Sequence, residues 1–295
     1  LIVNGFDRIS GPATVSADGF SGFWNLEDQG VPDGFDIGFT GAQVDFDPKS
    51  AFKINDAPGH GTSLAGFETT ILPGNSFDFP AVHGASIKKA GFSFVSCSDE
   101  AVMDGLVDLK AFKVVDLILG EEKETHWQKP VMDSLSGIPF KTFPQAMQDK
   151  IRQFTSNGGN MFVSGAYPGK DMFAGKDTLH QDVKFAEQVL HYTWAVDHAS
   201  SNGGVFFNSD SLFASDSLLQ FNQGYHPHIY TVEAPDALNP VKDSHTILRY
   251  QDNQFSAAVA HAGDYKTVVM GFPFESIIEQ KQRDYLMKMV LEFLE

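Results

Sequence analysis

Cysteine is almost missing from this chain: Cys97 stands alone among 295 residues. A single thiol forms no internal disulfide, supplies no cysteine metal cluster and leaves the redox compartment open. Cations are also scarce. Lys and Arg total 21 against 38 Asp and Glu, a formal charge of −17. A nucleic-acid footprint is therefore not expected, because each phosphate contact needs a cation. The same deficit disfavours adhesion to an anionic membrane surface. No apolar run approaches the ~18–20 residues of a membrane span. Tryptophan (3) and tyrosine (7) are few, whereas phenylalanine and glycine number 27 each. Many of the phenylalanines fall in Gly- and Asp-rich loops, which fold by tucking rings onto a scaffold. The chain opens at Leu1, already in a strand-like run and with no targeting segment in view, which reads as a piece excised from a longer protein.

What is present is an alternation of short apolar runs with amphipathic segments. Leu1-Ile2-Val3, Gly91 to Val95 (ending at Ser96-Cys97-Ser98), Val114 to Leu119, Met161 to Val163 and Thr267 to Glu275 read as buried strands. Helices are expected over 82–90, 99–103, from Thr142 to Asn157, over 179–190 and after Ser276. Thr142 with Gln145, around Pro144, has the spacing of a capping box, and Ser276 with Glu279 repeats it. Strands too uniformly apolar to have a wet face, separated by helices, predict a parallel sheet covered on both faces. Tyr192 to Val196 is a further strand, and 246–250 with 256–260 form an antiparallel pair. The segments 9–80 and 197–245 keep no sustained period and read as insertions in a single α/β domain spanning 1–295.

Several stretches resemble a known family. They are L-I-V-N-G-F-D-R-I-S-G-P at the start, F-V-S-C-S-D-E-A-V, K-V-V-D-L-I-L-G, G-G-N-M-F-V-S-G-A, Y-H-P-x-I-Y-T-V-E-A-P-D-A and Y-K-T-V-V-M-G-F-P-F-E-S-I. Together they resemble a domain of secreted Bacteroidetes proteins labelled "xanthan lyase" or "golvesin C-terminal-like domain-containing". The resemblance covers essentially the whole chain. It implies a flavodoxin-type scaffold of the class I glutamine-amidotransferase-like branch, similar to ThuA-like proteins. It also implies a secreted, periplasmic or cell-surface location within longer envelope-directed chains, some with a peptidoglycan amidase domain. The lyase activity is not carried over. Lyases known for xanthan use a helical toroid with β-sandwiches, and the βα pattern here contradicts that.

In a parallel sheet the strand ends converge on one crevice where the strand order reverses. Asn4, Asp7, Arg8, Glu121, Glu122 and Ser164 all map to strand ends. Glu121 and Glu122 beside Asp7 are the paired carboxylates that glycoside hydrolysis requires; carboxylates at such places also cap helices and pair with Arg. Asp7-Arg8 fits an internal ion pair as well as a substrate clamp. Ser164 sits where a nucleophile turn would, but G-x-S-x-G needs glycine at 162 and 166, where Phe162 and Ala166 stand. Cys97 lies at a strand-to-helix turn flanked by Val95 and Asp99 rather than glycines. The amidotransferases' late His-Pro-Glu is replaced by Gly271-Phe272-Pro273-Phe274-Glu275. Cys97 thus reads as a buried structural thiol, Glu275 as fixing the last strand–helix turn, and amidotransferase chemistry is not expected.

Trp24, Trp127 and Tyr167 are loop aromatics suited to stacking on sugar rings. His226 and His228, with Glu233 downstream, form a two-residue-spaced pair without a convincing third ligand, so no metal is expected. No cofactor is expected either. The resulting expectation is an envelope- or glycan-associated accessory domain binding a glycan or peptidoglycan fragment and joined to other domains of the same chain. The alternatives are a hydrolase of a glycan or ester bond acting through Asp7, Glu121, Glu122 and Ser164, and a purely structural spacer.

Overall fold

Uniformly apolar strands need cover on both sides, and the structure, a computed structural model, provides it. It describes residues 1–6, 13–16, 20–24, 79–123, 141–174, 180–209, 213, 215, 217–223, 229–230, 232 and 234–295, with 13–16 and 20–24 as backbone alone. The first half of the chain contains β1 (Ile2–Asn4), β2 (Ala13–Ser16), β3 (Phe20–Trp24), α1 (Phe79–Lys89), β4 (Ser96–Ser98), α2 (Asp99–Met103) and β5 (Val114–Gly120). Then come α3 (Gln145–Thr155), β6 (Asn160–Gly165), α4 (Lys170–Phe173), α5 (Gln181–Phe185) and β7 (Tyr192–Val196). The remainder holds β8 (Gly204–Phe207), β9 (Leu218–Gln220), β10 (Ala237–Pro240), β11 (Ser244–Tyr250), β12 (Ser256–Ala262), β13 (Lys266–Met270) and α6 (Gln280–Leu294).

Nine strands make one sheet in the order β4-β1-β5-β6-β13-β12-β11-β8-β9. Strands β4, β1, β5, β6 and β13 run parallel, and β12, β11, β8 and β9 continue the sheet antiparallel. The fold is α/β, with the expected parallel strands forming one half of a mixed sheet. Side-chain alternation sorts the parallel half onto two cores. Ile2, Ile118, Phe162 and Val268 face Ile87 of α1 and Leu286 and Val290 of α6. Val3, Leu117, Val163 and Val269 face Val102 of α2 and Met147 and Ile151 of α3. The order reverses at β1, which has β4 on one side and β5 on the other. The C-terminal ends of β1 and β5 therefore flank the position where parallel α/β sheets bind ligands.

Several local expectations need correction. Residues 92–95 are not a strand: pairing begins at Ser96, and Phe94 and Val95 are exposed at the sheet's edge. An apolar run short of a partner strand cannot form a ladder, however β-prone its residues. The capping boxes are absent too. Pro144 is the N-cap of α3 and makes no side-chain cap bond; the Thr142 hydroxyl and amide donate to Asp171 instead. Glu279 is the N-cap of α6, again without a side-chain bond, and the Ser276 hydroxyl donates to the Pro273 carbonyl. The stretch 197–245 contributes β8 and β9 to the main sheet, and β10 pairs antiparallel with β7 outside it. Within 9–80 lie the β2–β3 hairpin and the start of α1; most of that segment is outside the described residues.

Gly271, just past β13, joins the two halves. Its carbonyl accepts from the Asp236 amide at 2.8 Å, and its amide donates to the Ala257 carbonyl at 2.9 Å. A Cβ here would sit 2.0 Å from the Asp236 carbonyl oxygen and 2.9 Å from its carbon. Backbone held by hydrogen bonds on both sides has little room to give. Gly271→Ala is expected to destabilise the protein by roughly 3 kcal/mol, the upper end of ordinary overpacking, read from the midpoint of urea denaturation at unchanged slope.

Candidate functional site

The register places Asn4, Ile118 and Ser164 in one row across β1, β5 and β6. Asn4 and Ser164 are thus two strands apart on the α1 face, ~10 Å between backbones. Ser164 is buried, and neither its Oγ nor Asn4 Oδ1 has a hydrogen-bond partner among the described residues. Glu121 and Glu122 follow Gly120 directly and are buried. Gly120 turns with φ +49, and the Phe6 ring lies where its Cβ would be, 2.1 Å away, so only glycine permits this strand end. Phe6 in turn packs on Phe79 at 5.4 Å and Tyr230 at 5.6 Å between centroids, and Phe79 meets Tyr230 at 5.6 Å. Three aromatic rings therefore fill the space beside the Glu121 turn.

One row deeper, the same face holds a polar cluster. Asp116 sits in the middle of β5 opposite Ile2 and Phe162, and α1 drops His83 onto it. His83 donates from Nδ1 to Asp116 Oδ2 at 2.8 Å and from Nε2 to Glu275 Oε2 at 3.2 Å. Tyr230 donates to the other Glu275 oxygen at 2.6 Å. The His83 ring also packs on Phe274, 4.6 Å between centroids. Relative exposures of 0% for His83, 3% for Asp116 and 4% for Glu275 leave no route for water to screen the charges. Burial alone would push the imidazole's pKa down. The charge and hydrogen bond of Asp116, then those of Glu275, outweigh it and raise it from 6.5 to about 9. At neutral pH His83 is therefore an imidazolium with both N–H groups committed and no lone pair to accept a proton from serine or water.

The loop after β6 is filled as well. Asp236 accepts hydrogen bonds from the Gly169 and Lys170 amides, both at 2.7 Å, and from the Trp194 indole at 3.0 Å. Burial pushes its carboxyl well above the ordinary range, and these N–H donors pull against that. The chain thus supplies its own carboxylate to the backbone donors that follow the β6 strand end.

The sequence-derived candidates divide accordingly. Asn4, Glu121, Glu122 and Ser164 do lie at neighbouring strand ends, as expected. Tyr167 is not a surface platform: it is 1% exposed, with Lys123 Nζ 4.9 Å from its ring centroid, because the turn after β6 folds inward. Cys97 is half-buried at the edge strand rather than enclosed, and burial pushes its thiol up, away from the reactive thiolate. Glu275 does lie in the last strand–helix turn and also reaches across to His83. Asp7, Arg8, Trp127, His226, His228 and Glu233 lie outside the described residues, as does the side chain of Trp24. His83, Asp116, Tyr230 and Asp236 escaped the sequence reading. Asp116 carried a signal, since a carboxylate inside an otherwise apolar run, Val114-Val115-Asp116-Leu117-Ile118, must find a buried partner. A second pair, His191 and His261, stacks with centroids 3.5 Å apart. Burial, then the neighbouring His261 and Lys242 charges, lowers His191 to about 4.

No model of a known protein family matches the chain, and no curated protein matches it. Among solved structures it is similar to the exo-β-1,4-mannosidase Op5Man5 from Opitutaceae bacterium strain TAV5, at 7% identity and TM-score 0.42. That match covers 70% of this chain and 29% of the mannosidase, so the chain spans under a third of that protein. The mmIFT52 N-terminal domain is similar at 14% identity and TM-score 0.42, over 71% of this chain and 87% of that one. A GMP synthase component from Thermoplasma acidophilum is similar at 9% identity and TM-score 0.41, over 72% of this chain and 86% of that one.

Two outcomes follow from the histidines. Asp116→Asn removes one partner of a buried ion pair and is expected to cost about 3–5 kcal/mol in chemical denaturation. The pH dependence has opposite signs for the two sites. His83, raised in the folded state, contributes stability that is complete below 6.5 and is lost as pH rises through about 9. His191, lowered when folded, contributes stability that is complete above 6.5 and is lost as pH falls through about 4. Denaturation midpoints across that range should show the alkaline loss in wild type and not in His83→Gln.

Proposed function

We propose that this chain is a non-catalytic accessory domain of a larger secreted protein directed at the cell envelope or its glycans, and that its strand-end crevice maintains the fold rather than performing chemistry. The observation that carries this reading is the clamped His83. A histidine whose two nitrogens both face carboxylates cannot serve as base to a neighbouring nucleophile while those bonds stand. The rings of Phe6, Phe79 and Tyr230 beside the Glu121 turn, and Asp236 on the loop after β6, support it further. The envelope and glycan setting comes from the family resemblance in the motifs around Asn4, Ser164 and Glu275.

One observation favours a second reading, a hydrolase of a glycan or ester bond. Ser164 Oγ has no hydrogen-bond partner among the described residues and lies on the strand next to the Glu121-Glu122 turn. The two readings separate in a screen of glycans and muropeptides followed for both binding and turnover. Binding without turnover, equal in wild type, Glu121→Gln and Ser164→Ala, is the expected result. Turnover that disappears in either variant would establish the hydrolase. Failure to bind any glycan or muropeptide would remove the binding role and leave a structural spacer.

A further inference from the structure

The antiparallel half of the sheet carries a feature independent of the strand-end crevice. On its α6 side lies a cavity of about 660 Å³, within the ordinary size of small-molecule sites. Its floor is Ile247 of β11 and Ala260 of β12, both buried. One wall is aromatic: Phe213 and Phe293 meet at 5.3 Å between centroids with their planes 56° apart. The short Ala260 side chain beneath two large rings leaves a volume that the described residues do not fill.

The polar lining is unevenly used. Ser244 Oγ accepts from the Val241 amide and has the His191 carbonyl at 2.8 Å for its one proton, Thr246 Oγ1 donates to Ser256, and the Asn208 amide donates to the Thr246 carbonyl. These groups are occupied within the protein. Arg249 and His245 are different. Arg249 is half-buried and spends one N–H on the Gln254 carbonyl at 2.8 Å; it forms no ion pair among the described residues. A guanidinium has five donors in a planar fork, so most of its capacity remains. His245 stands four residues earlier on the same strand, exposed at the cavity's rim. In a chain of formal charge −17, an arginine with no carboxylate partner among the described residues, beside a largely apolar cavity, is a place suited to a negative charge. Lys266 adds a second cation behind the wall, its Nζ 5.5 Å from the Phe293 ring centroid.

We propose that this cavity binds a small carboxylate with an apolar body, an arylalkanoate or branched-chain acid. Its carboxylate pairs with the Arg249 guanidinium at the rim, and its body lies on Ile247 and Ala260 against the Phe213–Phe293 wall. This does not depend on the accessory-domain reading, because none of these residues belongs to the strand-end cluster.

Hydrocinnamate is a suitable probe, with its neutral amide as the control, titrated by calorimetry and by amide-proton NMR. Saturable binding of hydrocinnamate is expected, weakened about tenfold or more in the neutral amide and in Arg249→Gln, as loss of a charge-assisted bond requires. Ala262→Phe fills the cavity from its exposed rim without entering the core, and it should abolish binding. The proposal is overturned if hydrocinnamate does not bind, if the amide binds equally well, or if Ala262→Phe leaves affinity unchanged. The amide comparison needs no variant, so it holds even if a substitution disturbs folding.

Discussion

The imidazolium of His83, held between Asp116 and Glu275, is the interaction on which this architecture turns. It links a covering helix to the centre of β5 and to the turn that follows β13. Three segments far apart in sequence are fixed by one ring. Two carboxylates buried without a cation would have to take up protons or move to solvent, and either would open the α1 face. Breaking one arm leaves an uncompensated charge in an apolar layer, so the cluster holds together as a unit.

That same commitment shapes the strand ends above it. In α/β proteins the crevice at a reversal of strand order is the usual place for a ligand, and here much of it is taken by the protein itself. Aromatic rings pack beside the Glu121 turn, and one strand further on, past β6, Asp236 accepts from the Gly169 and Lys170 amides. Fold alone does not assign activity; the groups at the strand ends must do so.

The sheet could be read from the sequence where burial dominates. Val114 to Leu119 and Met161 to Val163 are apolar throughout because both faces are covered, and they form central strands as expected. Elsewhere a tertiary partner decides the outcome. Phe92 to Val95 look like a strand but form no ladder among the described residues, Val95 giving only its carbonyl to the Ile2 amide. Thr142 has capping spacing but finds Asp171 instead. Tyr167 resembles an exposed ring and is buried by the turn that follows β6. The strand ends were half visible: Asn4, Glu121, Glu122 and Ser164 lie where strand-end logic puts them, whereas His83 and Asp236 gain their meaning only from groups distant in the chain. Asp116 was the exception, a charge in an apolar run whose cost alone demands an answer.

The position of β13 has a kinetic meaning. It lies between β6 and β12, parallel to one and antiparallel to the other, yet it follows both in the chain. The parallel half and the β11–β12 hairpin must therefore wait, each with an unpaired edge, until Lys266–Met270 arrives to close the seam. Joining β13 to β6 also closes a long loop, the kind of non-local pairing that slows folding. During that interval the open edges of β6 and β12 can pair wrongly with another chain. The seam that makes one sheet out of two is also a step at which a growing chain exposes two unpaired strands to aggregation.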